Sequence, residues 1–351
     1  MVLTAALVAA LANAVPAQAV EAQAWIFLYA DQQSTTQKYT PVNQASSAAG
    51  IQADVTRVST GNYRVAVRGT SVSGIPIVTA VGGDGVHCQL TQFLPSDIWV
   101  GCYTGANFTD SKFTLSYFSS APPDSGAAGA YGYVYDNQPT LTTYTNPPSY
   151  NSTGGPVEIY YSAAEGIWTA RFFGQSFNDL KGNVQVSAVG MMPARCAVYQ
   201  WYPHVLGVDA QVRCDNLSGT TGRPQWTLVY ANDRSIVGNR NGFYGYLQAD
   251  QPGSPVLYTP NPNRNLSPIG NVYHTVTRGA PGRYQAQIYG PLKSPVAVHV
   301  SVNGNTDAFC NLTRWTLTPN TQPAATVDLA CFDSDGVPAD NWFALNYYSP
   351  N

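Results

Sequence analysis

One block of sequence occurs three times in this chain. Gly61-Asn-Tyr63-Arg-Val65-Ala-Val67-Arg-Gly69 returns as Gly166-Ile-Trp168-Thr-Ala170-Arg-Phe172-Phe-Gly174 and again as Gly282-Arg-Tyr284-Gln-Ala286-Gln-Ile288-Tyr-Gly290. The interval is roughly 105 to 115 residues, too long for a solenoid unit and about right for a small domain. Whatever this chain folds into, it must build three similar units.

Each copy follows one plan. An aromatic alternation opens it: Trp25-Ile-Phe27-Leu-Tyr29, Tyr131-Gly-Tyr133-Val-Tyr135 and Tyr244-Gly-Tyr246-Leu. An acid or amide followed by Gln comes next (Asp31-Gln32, Asn137-Gln138, Asp250-Gln251), then a Tyr-Thr pair near proline at Tyr39, Tyr144 and Tyr258. Two strands then flank a turn at Gly61, Gly166 or Gly282, where a hairpin needs positive φ. Apolar and polar residues alternate at period two, the signature of strands with one buried face. About seven strands are expected per copy, with no helical period. The fold class expected is all-β, three tandem antiparallel sandwich-like domains over residues 24–118, 131–231 and 243–348. Polar or small segments at 119–130 and 232–242 read as linkers. The alternative is a single body with threefold pseudo-symmetry such as a propeller, which seven strands per copy fit poorly.

Six cysteines fall two per copy at matching places, so disulfides Cys88–Cys102, Cys196–Cys214 and Cys310–Cys331 are expected. A zinc site lacks ligands: His87 precedes Cys88, but Arg195 and Phe309 stand at that place in the other copies. The N-terminus is apolar from Leu3 to Leu11 and ends in Ala17-Gln18-Ala19, the layout of a signal peptide over residues 1–19, though without a basic start. A secreted, extracellular protein with no transmembrane segment is expected. Charged residues make up only 11% of the chain and the formal net charge is −3, which argues against a nucleic-acid partner.

No motif for catalysis, metal or cofactor emerges. The four histidines (His87, His204, His274, His299) do not match between copies, and no G-x-S-x-G or H-E-x-x-H string occurs. Asp333-Ser334-Asp335-Gly336 resembles the start of a calcium loop without its later carboxylate, so an Asx turn is expected. Aromatics in frame (Trp25, Tyr131, Tyr244, Phe93, Trp201, Trp315) read as core anchors. Those out of frame (Tyr103, Tyr150, Tyr160, Tyr202 and Trp342) are the candidates for exposure and for ligand contact.

The pattern G-x-aromatic-x-Val, Cys-x4-aromatic, Val-x-Cys and a closing aromatic-x-Leu-x-Tyr resembles a group of uncharacterised secreted bacterial repeat proteins, notably actinobacterial ones, over residues 24–348. The resemblance implies fold and export and carries no catalytic residue. The function expected is non-catalytic binding or surface interaction, with glycan or cell-envelope material as the partner and three modules supplying avidity. Alternatives are a secreted hydrolase with its site in one diverged copy, and a structural envelope component.

Overall fold

Period-two alternation becomes strand wherever the pattern is strong. The structure is a computed structural model describing residues 24–70, 73–94, 96–119, 129–174, 180–217, 222–238, 241–304 and 307–350. The expected signal peptide, residues 1–19, and most of the first expected linker lie outside these. The first repeat comprises β1 (Trp25–Ala30), β2 (Gln44–Ser46), β3 (Gln52–Ser59), β4 (Asn62–Arg68), β5 (Gly74–Val81), β6 (His87–Leu94), β7 (Asp97–Thr104), β8 (Asn107–Phe108) and β9 (Lys112–Ser119). The second comprises β10 (Ala130–Asp136), β11 (Thr143–Thr145), β12 (Ser149–Asn151), β13 (Val157–Ser162), β14 (Ile167–Phe173), β15 (Asn183–Val189), β16 (Ala194–His204), β17 (Gly207–Asn216) and β18 (Gln225–Asn232). The third comprises β19 (Phe243–Ala249), β20 (Asn265–Leu266), β21 (Thr275–Ala280), β22 (Arg283–Ile288), β23 (Ala297–Asn303), β24 (Phe309–Leu317), β25 (Ala325–Phe332) and β26 (Trp342–Ser349).

The protein is all-β, built from three sandwich-like modules. In the first, β2-β1-β9-β5 forms one layer and β3-β4-β7-β6 the other. Ile26, Leu28, Phe113 and Leu115 from one layer meet Val55, Val65, Val67, Leu90 and Val100 from the other in a closed core. Strand β4 shows the sorting rule: Tyr63, Val65 and Val67 are buried while Arg64 and Arg68 face out. The second and third repeats build equivalent cores around Trp168, Trp226 and Leu228, and around Tyr284, Phe343 and Leu345.

The modules are not separate beads. The β5 edge continues in parallel into β24 of the third repeat (Val81↔Leu312), β15 into β6 of the first (Val189↔Leu90), and β23 into β16 of the second (Asn303↔Val198). At each join an equivalent glycine N–H donates to the facing carbonyl: Gly82 to Leu312, Gly190 to Leu90 and Gly304 to Val198, at 2.7, 3.0 and 2.9 Å. Three sheets of eight, nine and nine strands result, each sharing strands of two repeats, and the sharing runs cyclically around the three modules.

A further core fills the centre, with Trp25, Phe27, Ile77, Phe118, Tyr131, Tyr133, Val229 and Tyr348 drawn from all three repeats. So Trp25 and Tyr131, expected as anchors within each module, pack between modules instead. The second expected linker also joins this core. Ile236 and Val237 within 232–242 are buried, and the Ile236 carbonyl accepts the Tyr131 hydroxyl at 3.1 Å. Two adjacent β-branched residues in a polar stretch supply the apolar plug that a solvated linker would lack.

The bulges explain a spacing. Each aromatic lies five positions after its first cysteine, an odd step that would put them on opposite faces of a regular strand. The register shifts between Leu90 and Gln92, Val198 and Gln200, and Leu312 and Arg314. The extra residue restores the phase and turns Phe93, Trp201 and Trp315 back to the cysteine's face.

The three hairpin glycines have φ of +65°, +69° and +65° at Gly61, Gly166 and Gly282, which favours glycine at each. Their surroundings differ. A Cβ at Gly61 would lie 2.6 Å from the Cys102 carbonyl oxygen and one at Gly282 2.4 Å from that of Cys331, whereas nothing lies within 4 Å at Gly166. Gly166→Ala is therefore expected to cost only the backbone penalty, about 1–2 kcal/mol. Gly61→Ala and Gly282→Ala are expected to cost about 1–3 kcal/mol more for the forced shift of rigid backbone. Urea denaturation of the three variants measures the difference, and equal losses would refute this account.

Candidate functional site

The out-of-frame aromatics land in different environments. Tyr103 is a correction: it is fully buried, with its ring stacked on His87 at 5.5 Å and against Phe108 at 4.5 Å. It fits because residue 101 is glycine; a Cβ there would approach the Tyr103 hydroxyl to 2.6 Å. Tyr150 is half-buried among Tyr131 and Tyr133 at 6.1 and 5.7 Å. Tyr160 and Tyr202 share the outer face of the second hairpin sheet. Between them the Arg171 guanidinium makes paired 2.7 Å bonds to the Asp209 carboxylate and sits 5.1 Å from the Tyr160 ring centre. Their hydroxyls are engaged within the sheet, Tyr160 donating to Glu158 and Tyr202 accepting from Gln211 at 3.4 Å.

Trp342 differs from these. At the start of β26 it is 47% exposed, and it lines a cavity of about 150 Å³ with Leu180, Gln248, Asp250, Asn261, Asn263 and Arg264. The cavity lies where the third repeat meets the second. Its floor is ordered by Arg264, whose guanidinium packs over the Trp201 ring at 4.3 Å and donates to Gln248 Oε1 at 2.5 Å and to the Trp201 carbonyl at 3.1 Å. Burial pulls the Arg264 pKa down from its usual range. Asn261 caps a 3-10 turn over Pro262–Arg264, its side chain accepting from the Asn263 N–H at 3.0 Å. The Asn261 N–H donates to Asp250 Oδ2 at 3.2 Å, while Asp250 Oδ1 is buried with no partner. A buried carboxylate oxygen without a donor is an acceptor waiting for one.

The same place recurs at the other junctions with different residues. Register pairs Trp342 with Asn303, Lys112 with Val81 and Gln225 with Val189, so Trp342, Lys112 and Gln225 are equivalent. Between the third and first repeats a cavity of about 220 Å³ is lined by Tyr29, Asp84, Asp110 and Lys112, with Tyr29 edge-on to Trp315 at 4.8 Å. Between the first and second, the Tyr135 hydroxyl donates to Gln225 Oε1 at 2.6 Å and Phe93 packs on Tyr135 at 4.8 Å. The three junctions are thus not copies of one aromatic site.

Of the four histidines, His87, His274 and His299 are enclosed, while His204 is half-buried at the end of β16 and its Nδ1 accepts the Leu206 N–H at 3.2 Å. Ser116 Oγ lies 2.8 Å from His299 Nε2 and Thr79 Oγ1 lies 3.2 Å from Nδ1, yet His299 is 0% exposed and burial pushes its pKa down to about 3. A hydroxyl–imidazole pair sealed from substrate positions strands rather than activating a nucleophile. Asp333 Oδ1 accepts the N–H groups of Asp335 and Val337 at 3.0 and 2.9 Å, the expected Asx turn. Among the described residues no group of three or more His, Cys, Asp or Glu side chains is placed to hold a metal ion.

No protein-family model, curated protein or solved structure matches this chain.

Proposed function

We propose that this is an extracellular, non-catalytic binding protein that recognises a saccharide at the junction of its second and third repeats. The observation carrying this reading is the exposed Trp342 ring beside the unpartnered Asp250 Oδ1, with Asn261, Asn263 and Arg264 around them. A sugar ring offers an apolar C–H face to stack on indole and hydroxyls that donate to a carboxylate and accept from amide or guanidinium. The cavity is smaller than the roughly 300–1,000 Å³ typical of drug-sized ligands, which suits one ring of a longer chain lying over an open surface. Three disulfides suit an oxidising, extracellular setting. Among the described residues no helix is long and apolar enough to cross a membrane.

Retention of the purified, oxidised chain on insoluble polysaccharides and cell walls tests the reading. Trp342→Ala is expected to weaken binding by about 10- to 30-fold, the loss of a central aromatic anchor. Asp250→Asn, which keeps the shape, is expected to weaken it less. Equal retention of wild type and Trp342→Ala would sink the site, and no retention on any polysaccharide would sink the saccharide.

A further inference from the structure

A third cavity, of about 60 Å³, lies on the central axis where β5, β15 and β23 meet. Its walls come from equivalent positions of all three repeats: Thr79, Ser187 and Ser301, and the first cysteine of each disulfide. The hydroxyls are spent on holding the ring together. Thr79 donates to the Val300 carbonyl, Ser187 to Val78 and Ser301 to Gln185 Oε1, with Val186 close by. Each bond crosses from one repeat to another.

One ring of equivalent positions breaks this sameness. Before each first cysteine stand His87, Arg195 and Phe309, all lining the cavity. Arg195 is only 6% exposed, packs over the Phe309 ring at 4.0 Å and donates through Nη1 to the Ser334 carbonyl at 2.9 Å. Its Nε is buried without a partner, and no carboxylate forms an ion pair with it among the described residues. Asp215, Asp307, Asp333 and Asp335 act on it only at longer range. His87 is 5% exposed, and neither ring nitrogen has a partner in hydrogen-bond geometry, although the Tyr103 backbone exerts a weak pull.

A buried cation with no counter-charge in direct contact is costly, and so is a buried N–H donor without an acceptor. Both costs fall if the space beside them holds an anion. We propose that the axial cavity binds one small monovalent anion of halide size, accepting from Arg195 Nε–H and from an N–H of His87. The volume, about four to six waters at 10–15 Å³ each, admits such an ion. The anion would give Arg195 a directly bonded counter-charge at the point where the three modules join, so its effect is on the stability of the whole ring.

Bromide is the probe. Crystals of the oxidised protein grown in sodium bromide are expected to show an anomalous peak in the axial cavity within hydrogen-bonding reach of Arg195 Nε. In solution, replacing gluconate by bromide at constant ionic strength is expected to raise the melting temperature saturably by about 2–4 °C. Arg195→Gln should abolish that rise and Arg213→Gln should keep it. Water alone in the cavity overturns the proposal, as does an identical bromide response in Arg195→Gln. A peak without a saturable shift marks an adventitious ion only and also overturns it. The crystal measurement needs no variant, so it decides even if Arg195→Gln fails to fold.

Discussion

Lowering the pH from 7 to 5 is expected to remove about 4 kcal/mol of folding stability, before the carboxylates held low by their partners titrate. Three histidines are buried neutral, and their folded pKa values are pushed down to about 3 for His87, about 4 for His274 and about 3 for His299. Burial is the first cause in all three. The nearby Arg195 charge adds to it at His87. At His274, Nδ1 accepts the Tyr289 N–H at 3.1 Å while Nε2 donates to the Leu266 carbonyl at 2.8 Å. A second ring proton would there point at an amide hydrogen. Because the folded values lie below the unfolded 6.5, the unfolded chain binds more protons between about pH 3 and 6.5, and stability falls as pH falls through that window. Each histidine contributes about 2 kcal/mol between pH 7 and 5, about 6 together.

Asp136 acts in the opposite direction. Burial raises its carboxyl to about 6, so the folded chain takes up that proton first and recovers about 1–2 kcal/mol over the same interval. The carboxyls held low by Arg, Thr and N–H partners, Asp54, Asp110 and Asp340, lose their stabilising effect only below the ordinary carboxylate range and leave this window untouched. Urea denaturation at pH 7, 6 and 5 and fixed ionic strength reads the slope, and His274→Asn should reduce it by about one proton. Stability that is flat or rising toward pH 5 would show that these imidazoles are reached by water or paired in a way the buried geometry does not allow.

The strands, the turn glycines and the cysteine pairs were legible because each is set by local chemistry repeated three times. So was the turn after the first strand: the backbone N–H groups of Gln32 and Gln251 donate to the hydroxyls of Tyr39 and Tyr258, and the Tyr144 hydroxyl donates to Asp136. The ring was legible only as the alternative of a single threefold body, and the sharing of sheets between repeats was not. Thr79, Ser187 and Ser301 fall on the polar phase of their strands and read as solvent-facing, but β15 and β23 are buried along their whole length. Their second face meets another repeat rather than water. Substitution between repeats hid a further device. Asp110 receives Arg57, the Gly61 N–H and the Tyr63 hydroxyl, and Asp340 likewise receives Arg278, Gly282 and Tyr284. In the second repeat Arg223 stands over Tyr161 at 3.7 Å, a cation over a ring where the others have an ion pair. At the candidate site, the exposure of Trp342 was readable because it breaks the frame. Its neighbours Asn261 to Arg264 come from a loop some eighty residues earlier, and only the fold brings them together.

Reducing all three disulfides is expected to unfold the chain under conditions where the oxidised protein is stable. The cysteines are direct cross-strand partners, Cys88↔Cys102, Cys196↔Cys214 and Cys310↔Cys331, and they bond as the repeat pattern implied. Sequence separations of 14, 18 and 21 correspond to about 3 kcal/mol each by loop-closure entropy. The three loops do not overlap along the chain, so the contributions add to about 9 kcal/mol, which approaches or exceeds the usual 5–15 kcal/mol of a folded protein. Position increases the consequence. Two residues beyond each first cysteine lie Leu90, Val198 and Leu312, whose carbonyls accept the inter-repeat glycine N–H groups. Loosening one hairpin therefore loosens the join to the next module. Urea unfolding of the oxidised protein, the dithiothreitol-reduced protein and Cys196→Ala/Cys214→Ala is expected to show loss of the cooperative transition on full reduction and a loss of about 3 kcal/mol for the single pair. If the reduced chain keeps its transition midpoint, the sandwich cores and the central cluster hold the ring without the bonds, and the disulfides are dispensable to the fold.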